Sequence, residues 1–114
     1  NNPSYGAYFR YQYNVNGGRF EAVTRAGASP TIVDTGITVA SGVYYALDIE
    51  VNAAGTSVVF KINGSVVATI TTTIPPSTQP LGFAAGGRRV LGSANTNAFL
   101  LDYIYFDQEE TTLR

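Results

Sequence analysis

The chain predicts an all-β fold: an antiparallel β-sandwich or jelly roll of roughly eight strands. Three observations carry that prediction. Tyr45, Leu47, Ile49 and Val51 alternate with Ala46, Asp48, Glu50 and Asn52, the period-2 pattern of a strand with one dry and one wet face. Two turn signals, Ala54-Gly55 and Asn63-Gly64, bracket a second alternating run in which Val58, Phe60 and Ile62 face away from Val59, Lys61 and Asn63. No segment of helical length carries a helical period, and no internal repeat is present.

The elements follow in order. Residues 5–14 read as a strand, with Tyr5, Ala7, Phe9, Tyr11 and Tyr13 on one face and Tyr8, Arg10, Gln12 and Asn14 on the other. Asn16-Gly17-Gly18 is a turn built of residues that tolerate positive φ. Residues 19–25 form its partner strand, with Phe20, Ala22 and Thr24 opposite Glu21 and Val23. A loop over 26–30 precedes a short strand at 31–35, and residues 36–42 cross to a long strand at 43–52. Residues 65–71 return from the Asn63-Gly64 turn as a further strand. The proline loop at 74–80 cannot donate ladder hydrogen bonds at Pro75, Pro76 or Pro80. Leu81, Phe83 and Ala85 suggest another strand, and 88–97 a loop or short strand broken at Gly92. Residues 98–107 form the last strand, apolar on both faces. Such a strand lies between two layers or meets another subunit. The organisation is thus one sandwich domain over 1–107 with a polar tail over 108–114.

Composition narrows the function. In 114 residues, hydrophobic side chains make up 45% but charged ones only 13%, about half the usual charged share. That low density suits a surface covered by neighbours, or a Thr- and Ser-rich extracellular one. The 7 basic and 8 acidic residues are scattered, with only Arg88-Arg89 together, so no nucleic-acid footprint is expected. The absence of His and Cys removes the commonest zinc ligands and the usual nucleophile and base; no cofactor or metal is expected. No apolar run reaches the ~20 residues of a transmembrane helix, so membrane insertion is not expected. With no Met at all, Asn1 reads as the start of a processed or excised piece.

Three motifs invite chemistry, each with a plainer reading. Asp34-Thr35-Gly36 after Ile32-Val33 is the tripeptide by which retroviral-type aspartic proteases pair two carboxylates across a dimer axis, with Val90-Leu91-Gly92 downstream. Ile37 departs from the Ala or Ser such enzymes place next, and a strand ending in a turn explains the run equally. Asp48 and Glu50 share one strand face, as the acid and nucleophile of sandwich glycosidases do. Without tryptophan, a solvated face is the simpler account. The eight tyrosines could form a sugar platform, with Tyr8, Tyr44 and Tyr103 or Tyr105 outward, or could be sheet packing. Asp102, inside an apolar strand, needs a partner such as Arg10, Arg88 or Arg89. Asn63-Gly64-Ser65 fits a glycosylation acceptor but is fully explained as a tight turn.

The run 44–51, the run 58–68 ending in Val66-Val67-Ala68, the proline loop 74–80 and Leu101-Asp102-Tyr103-Ile104-Tyr105 together resemble a concanavalin A-like (laminin G-like) jelly roll over about 36–106. The chain is shorter than a full member, and the acidic, tryptophan-bearing motif of the catalytic branch is missing. The resemblance implies a non-catalytic binding or structural module, similar to those on bacteriophage virions: capsid decoration, head-fibre or tail modules. On that basis the expected partners are viral structural proteins, surface polysaccharide or both. The expected location is virion or extracellular, and the expected state a homo-oligomer such as a trimer. The residues expected to make contact are Tyr8, Arg10, Tyr44, Arg88 and Arg89.

Overall fold

A computed structural model describes residues 4–13 and 15–79. Within them the chain is all-β, six strands in two antiparallel three-stranded sheets. The first sheet has the order β1 (Tyr5–Tyr11), β2 (Arg19–Ala26), β3 (Pro30–Thr38). The second has the order β4 (Leu47–Val51), β5 (Val58–Ile62), β6 (Ser65–Ile70). The expected strands at 81–85 and 98–107, the loop 88–97 and the tail 108–114 lie outside the described residues.

Turn chemistry sets the connections. Asn63 and Gly64 both hold positive φ, 52° and 82°, as a type I′ hairpin turn requires. Asn16, Gly17 and Gly18 likewise turn β1 into β2 at positive φ. Asn52 closes the β4–β5 hairpin: its Oδ1 accepts the amides of Thr56 at 2.8 Å and Ser57 at 2.9 Å.

Three strands depart from the sequence expectation, the first by ending at Tyr11 and not at residue 14. The strand expected at 31–35 extends over Pro30–Thr38. Between the pairs Arg19↔Thr38 and Glu21↔Asp34, β3 carries two more residues than β2, and Gly36 at φ 76° absorbs the bulge. The strand expected at 43–52 is confined to Leu47–Val51. Pairing continues one step beyond Leu47, with Asn63 N–H donating to the Ala46 carbonyl and Ala46 N–H to Asn63 Oδ1. There it stops, because Asn63 is already a turn residue.

The core is one cluster drawn from both sheets: Ala22 with Val58, Phe60, Ala68 and Ile70, flanked by Ala7, Phe9, Val33, Ile49, Val67 and Ile74. Phe9 of β1 meets Phe60 of β5 edge-on at 5.3 Å between ring centroids, a favoured aromatic geometry. The β5 alternation holds as the sequence requires, with Val58, Phe60 and Ile62 buried and Val59 and Lys61 half-buried. β2 does not alternate. Glu21, Ala22, Val23 and Thr24 are all buried, so the side expected to be wet is dry as well. β6 slips at a bulge between Phe60 and Lys61, which turns Val67 as well as Ala68 toward the cluster.

A second junction between the sheets is polar. The Thr24 hydroxyl donates to the Thr72 carbonyl at 2.8 Å. Thr73 Oγ1 accepts the Thr31 amide at 3.1 Å and donates to the Thr24 carbonyl, also at 3.1 Å. The hydroxyls of Thr31 and Thr72 meet at 2.8 Å. Thr73 holds φ 49°, costly for a β-branched residue, and these bonds hold it there.

Candidate binding surface

The first sheet sets three charged residues in one cross-strand row. Arg10, Glu21 and Asp34 are register partners across β1, β2 and β3. Arg10 Nε and Nη2 both reach Glu21 Oε2 at 2.7 Å, with only 18% and 7% of the two side chains exposed. Arg10, expected to make outside contacts, is ion-paired within the sheet; Asp102, for which it was one expected partner, lies outside the described residues. Tyr8, one row along beside Val23, is half-buried, and its hydroxyl is buried without a partner among the described residues.

Asp34 closes the row. Its Oδ2 accepts from Arg19 Nη1 at 2.6 Å and its Oδ1 from the Gly36 amide at 2.8 Å. Thr35 Oγ1 donates to the Phe20 carbonyl at 2.7 Å. The Gly36 amide first, and then the Arg19 guanidinium, hold the Asp34 carboxyl below its ordinary value of 3.8. Each member of Asp-Thr-Gly therefore has a backbone task in the β3 bulge, and the carboxylate is stabilised in its ionised form.

Asp48 and Glu50 sit on the exposed face of β4, opposite Lys61 and Val59. Lys61 Nζ donates to Glu50 Oε1 at 2.8 Å, which lowers the Glu50 pKa from 4.5 and raises that of Lys61 from 10.5. Among the described residues, no three acidic side chains converge as a metal site would need, and no helix is long and apolar enough to cross a membrane.

A chain of packed aromatic rings runs elsewhere. From Phe60 and Phe9 the ring contacts continue to Phe20 (6.2 Å from Phe9), then to Tyr45 at 5.1 Å and Tyr11 at 6.4 Å. The Tyr45 hydroxyl accepts the Ala40 amide at 2.9 Å and donates to the Thr38 carbonyl at 3.1 Å, pinning the β3–β4 loop. Close to these rings in sequence, Tyr44 is 69% exposed and Tyr13 80%, with Tyr11, Val15 and Val43 also open to solvent. Of the expected contact residues, Tyr44 is exposed, whereas Arg10 lies in the first sheet's charged row and Tyr8 is half-buried beside Val23. Arg88 and Arg89 lie outside the described residues. Sequence reasoning passed over Tyr11, Tyr13 and Val43, which alternation assigned to inner faces or left unremarked. The turn at Asn16-Gly17-Gly18, which ends the first strand early, was the available signal.

Comparison with known proteins gives one result. No curated protein and no solved structure matches the chain. The family described as SO2946-like, C-terminal domain, matches residues 1–103, nearly the whole sequence, and the chain belongs to that family.

Proposed function

We propose that this domain is a non-catalytic binding or structural module that contacts neighbouring protein subunits, surface glycans or both. The observation that carries the reading is the exposure of Tyr44 and Tyr13, each close in sequence to a ring, Tyr45 or Tyr11, that packs on Phe20. Tyrosine offers a flat apolar face and a hydroxyl at small entropic cost, which suits both sugar rings and protein partners. Support also comes from the carboxylates that suggested catalysis: Asp34 and Glu50 are both held as structural anions.

The resemblance to concanavalin A-like jelly rolls and the low charge density favour a place on a virion or other extracellular assembly, as a decoration, head-fibre or tail module. On this reading the two sheets face each other as a sandwich, and strands at 81–85 and 98–107 bring the total to about eight. The test is binding of the full chain to a polysaccharide panel and to the subunits of its assembly, with solution mass measured alongside. Retention that weakens at least about tenfold in Tyr44→Ala supports the reading, in line with the loss of a buried aromatic anchor. A monomer that binds neither class, or binding indifferent to Tyr44→Ala and Tyr13→Ala, overturns it.

A further inference from the structure

We propose that the open edge of β4 is a docking strand for an extended partner peptide in which apolar and basic residues alternate. This deepens the binding-module reading and rests on it only in taking the partner to be a protein.

β4 has one strand neighbour, β5, among the described residues. Its even-numbered backbone groups point to β5, as the Asn52–Ser57 and Ala46–Asn63 bonds at either end fix. Alternation within an antiparallel ladder then turns the amides and carbonyls of Leu47, Ile49 and Val51 to the open edge.

Edge strands are ordinarily blunted by proline, a bulge, an inward charge or charged side chains along the edge. The other edges among the described residues carry such devices. β3 begins at Pro30 and bulges at Gly36, β6 bulges beside Val67, and β1 carries the largely buried charge of Arg10. β4 carries only outer charges, Asp48 and Glu50. Its inward positions are Leu47 and Val51, which face the same side as the buried Ile62 and Val58 yet stay 45% and 55% exposed. An edge built to repel pairing would not leave aliphatic side chains open beside ladder groups that have no strand partner among the described residues.

Charge selects the occupant. On the outer side of the same strand stand two carboxylates, Asp48 and Glu50, against one ammonium, Lys61. A second copy pairing antiparallel about Ile49 would set Asp48 opposite Glu50 in both directions, like charges that disfavour the pairing. A strand with Lys or Arg at those positions and aliphatic residues between them satisfies the edge, the uncovered apolar side and the charge together. Main-chain bonds would supply affinity and the alternating side chains specificity, as in strand addition generally.

The test uses the full chain and two short synthetic peptides, one alternating Val and Lys, the other alternating Val and Glu. The Val–Lys peptide is expected to bind and to slow amide exchange at Leu47, Ile49 and Val51. The Val–Glu peptide should bind about tenfold more weakly, the sum of two cross-strand charge pairs. The Asp48→Lys/Glu50→Lys variant, whose changes lie on an exposed face, should invert that preference, and added salt should reduce it. Equal binding of both peptides, or of neither, overturns the proposal. So does protection of the three amides without peptide: if it grows with protein concentration the occupant is a second copy, and if not, a segment of the same chain such as 98–107. The aromatic reading is scored by retention of glycans or subunits and the β4 edge by amide protection at Leu47, Ile49 and Val51 under the Val–Lys peptide, so failure of one and failure of the other give different results.

Discussion

The central strands of the two sheets, β2 and β5, meet their surroundings differently. β5 buries every second residue and turns Val59 and Lys61 to its other face. β2 buries four in succession, alternately from both faces, and one of them is an ionised carboxylate. A strand dry on one side needs only an apolar face. A strand dry on both must satisfy whatever polar groups its second face carries, and β2 does so through Arg10 on β1. Dependence on specific polar partners is therefore concentrated in the first sheet, and dependence on plain apolar volume in the second.

Substitutions can break this contrast. The largest effect is expected for Phe60→Ala, which removes the ring that meets Phe9 from a fully buried site. It should cost about 3–5 kcal/mol in denaturant unfolding. Glu21→Ala should come next, at about 3 kcal/mol, because it leaves Arg10 largely buried without its anion. Replacing Arg10 and Glu21 together with apolar residues should recover much of that loss; a double variant as unstable as the sum of the singles would show that the pair is not the cause. Thr73→Val should cost about 2 kcal/mol by removing the hydroxyl shared by the Thr31 amide and the Thr24 carbonyl. Thr73→Ser should stay close to the parent, since the hydroxyl is kept. Equal unfolding midpoints for the Val and Ser variants would dismiss the polar junction.

The smallest expected effect is of pH. Asp34 and Glu50 have folded pKa values below their ordinary ones, so each stabilises the fold above its unfolded pKa. That contribution fades as pH falls below about 4 and is gone once the lowered folded pKa is passed. Lys61, with its pKa raised, contributes below its unfolded value and loses the contribution as pH climbs through the folded one. Both groups of carboxylate are solvent-screened, so Glu50→Gln should flatten the acid limb only slightly, as thermal melts from pH 2 to 6 would record. A large loss would mean that β4 contributes more to the fold than its exposure indicates.

Sequence legibility followed the same divide. The Val58–Phe60–Ile62 stripe and the Asn63-Gly64 turn were readable because both depend on neighbours within a few residues. The end of the first strand before Asn16-Gly17 was misplaced by about three positions, and the Tyr13 ring with it, because the alternation Tyr11–Tyr13 continues past the point where pairing with β2 stops. Asp34-Thr35-Gly36 was legible as a motif but not as a bulge. Its meaning depends on Arg19 and Phe20, some fifteen residues away.

Read alone, the polypeptide determined its antiparallel class, most of its turns and the inward face of β5, since steric limits on φ and period-2 side-chain placement are local properties. Only the tertiary structure decided that β2 is dry on both faces, that Arg10 belongs to Glu21, and that Thr24 and Thr31 fasten onto Thr72 and Thr73 more than forty residues away. Those outcomes depend on which surfaces come to lie against one another, and no local periodicity encodes a meeting at that separation.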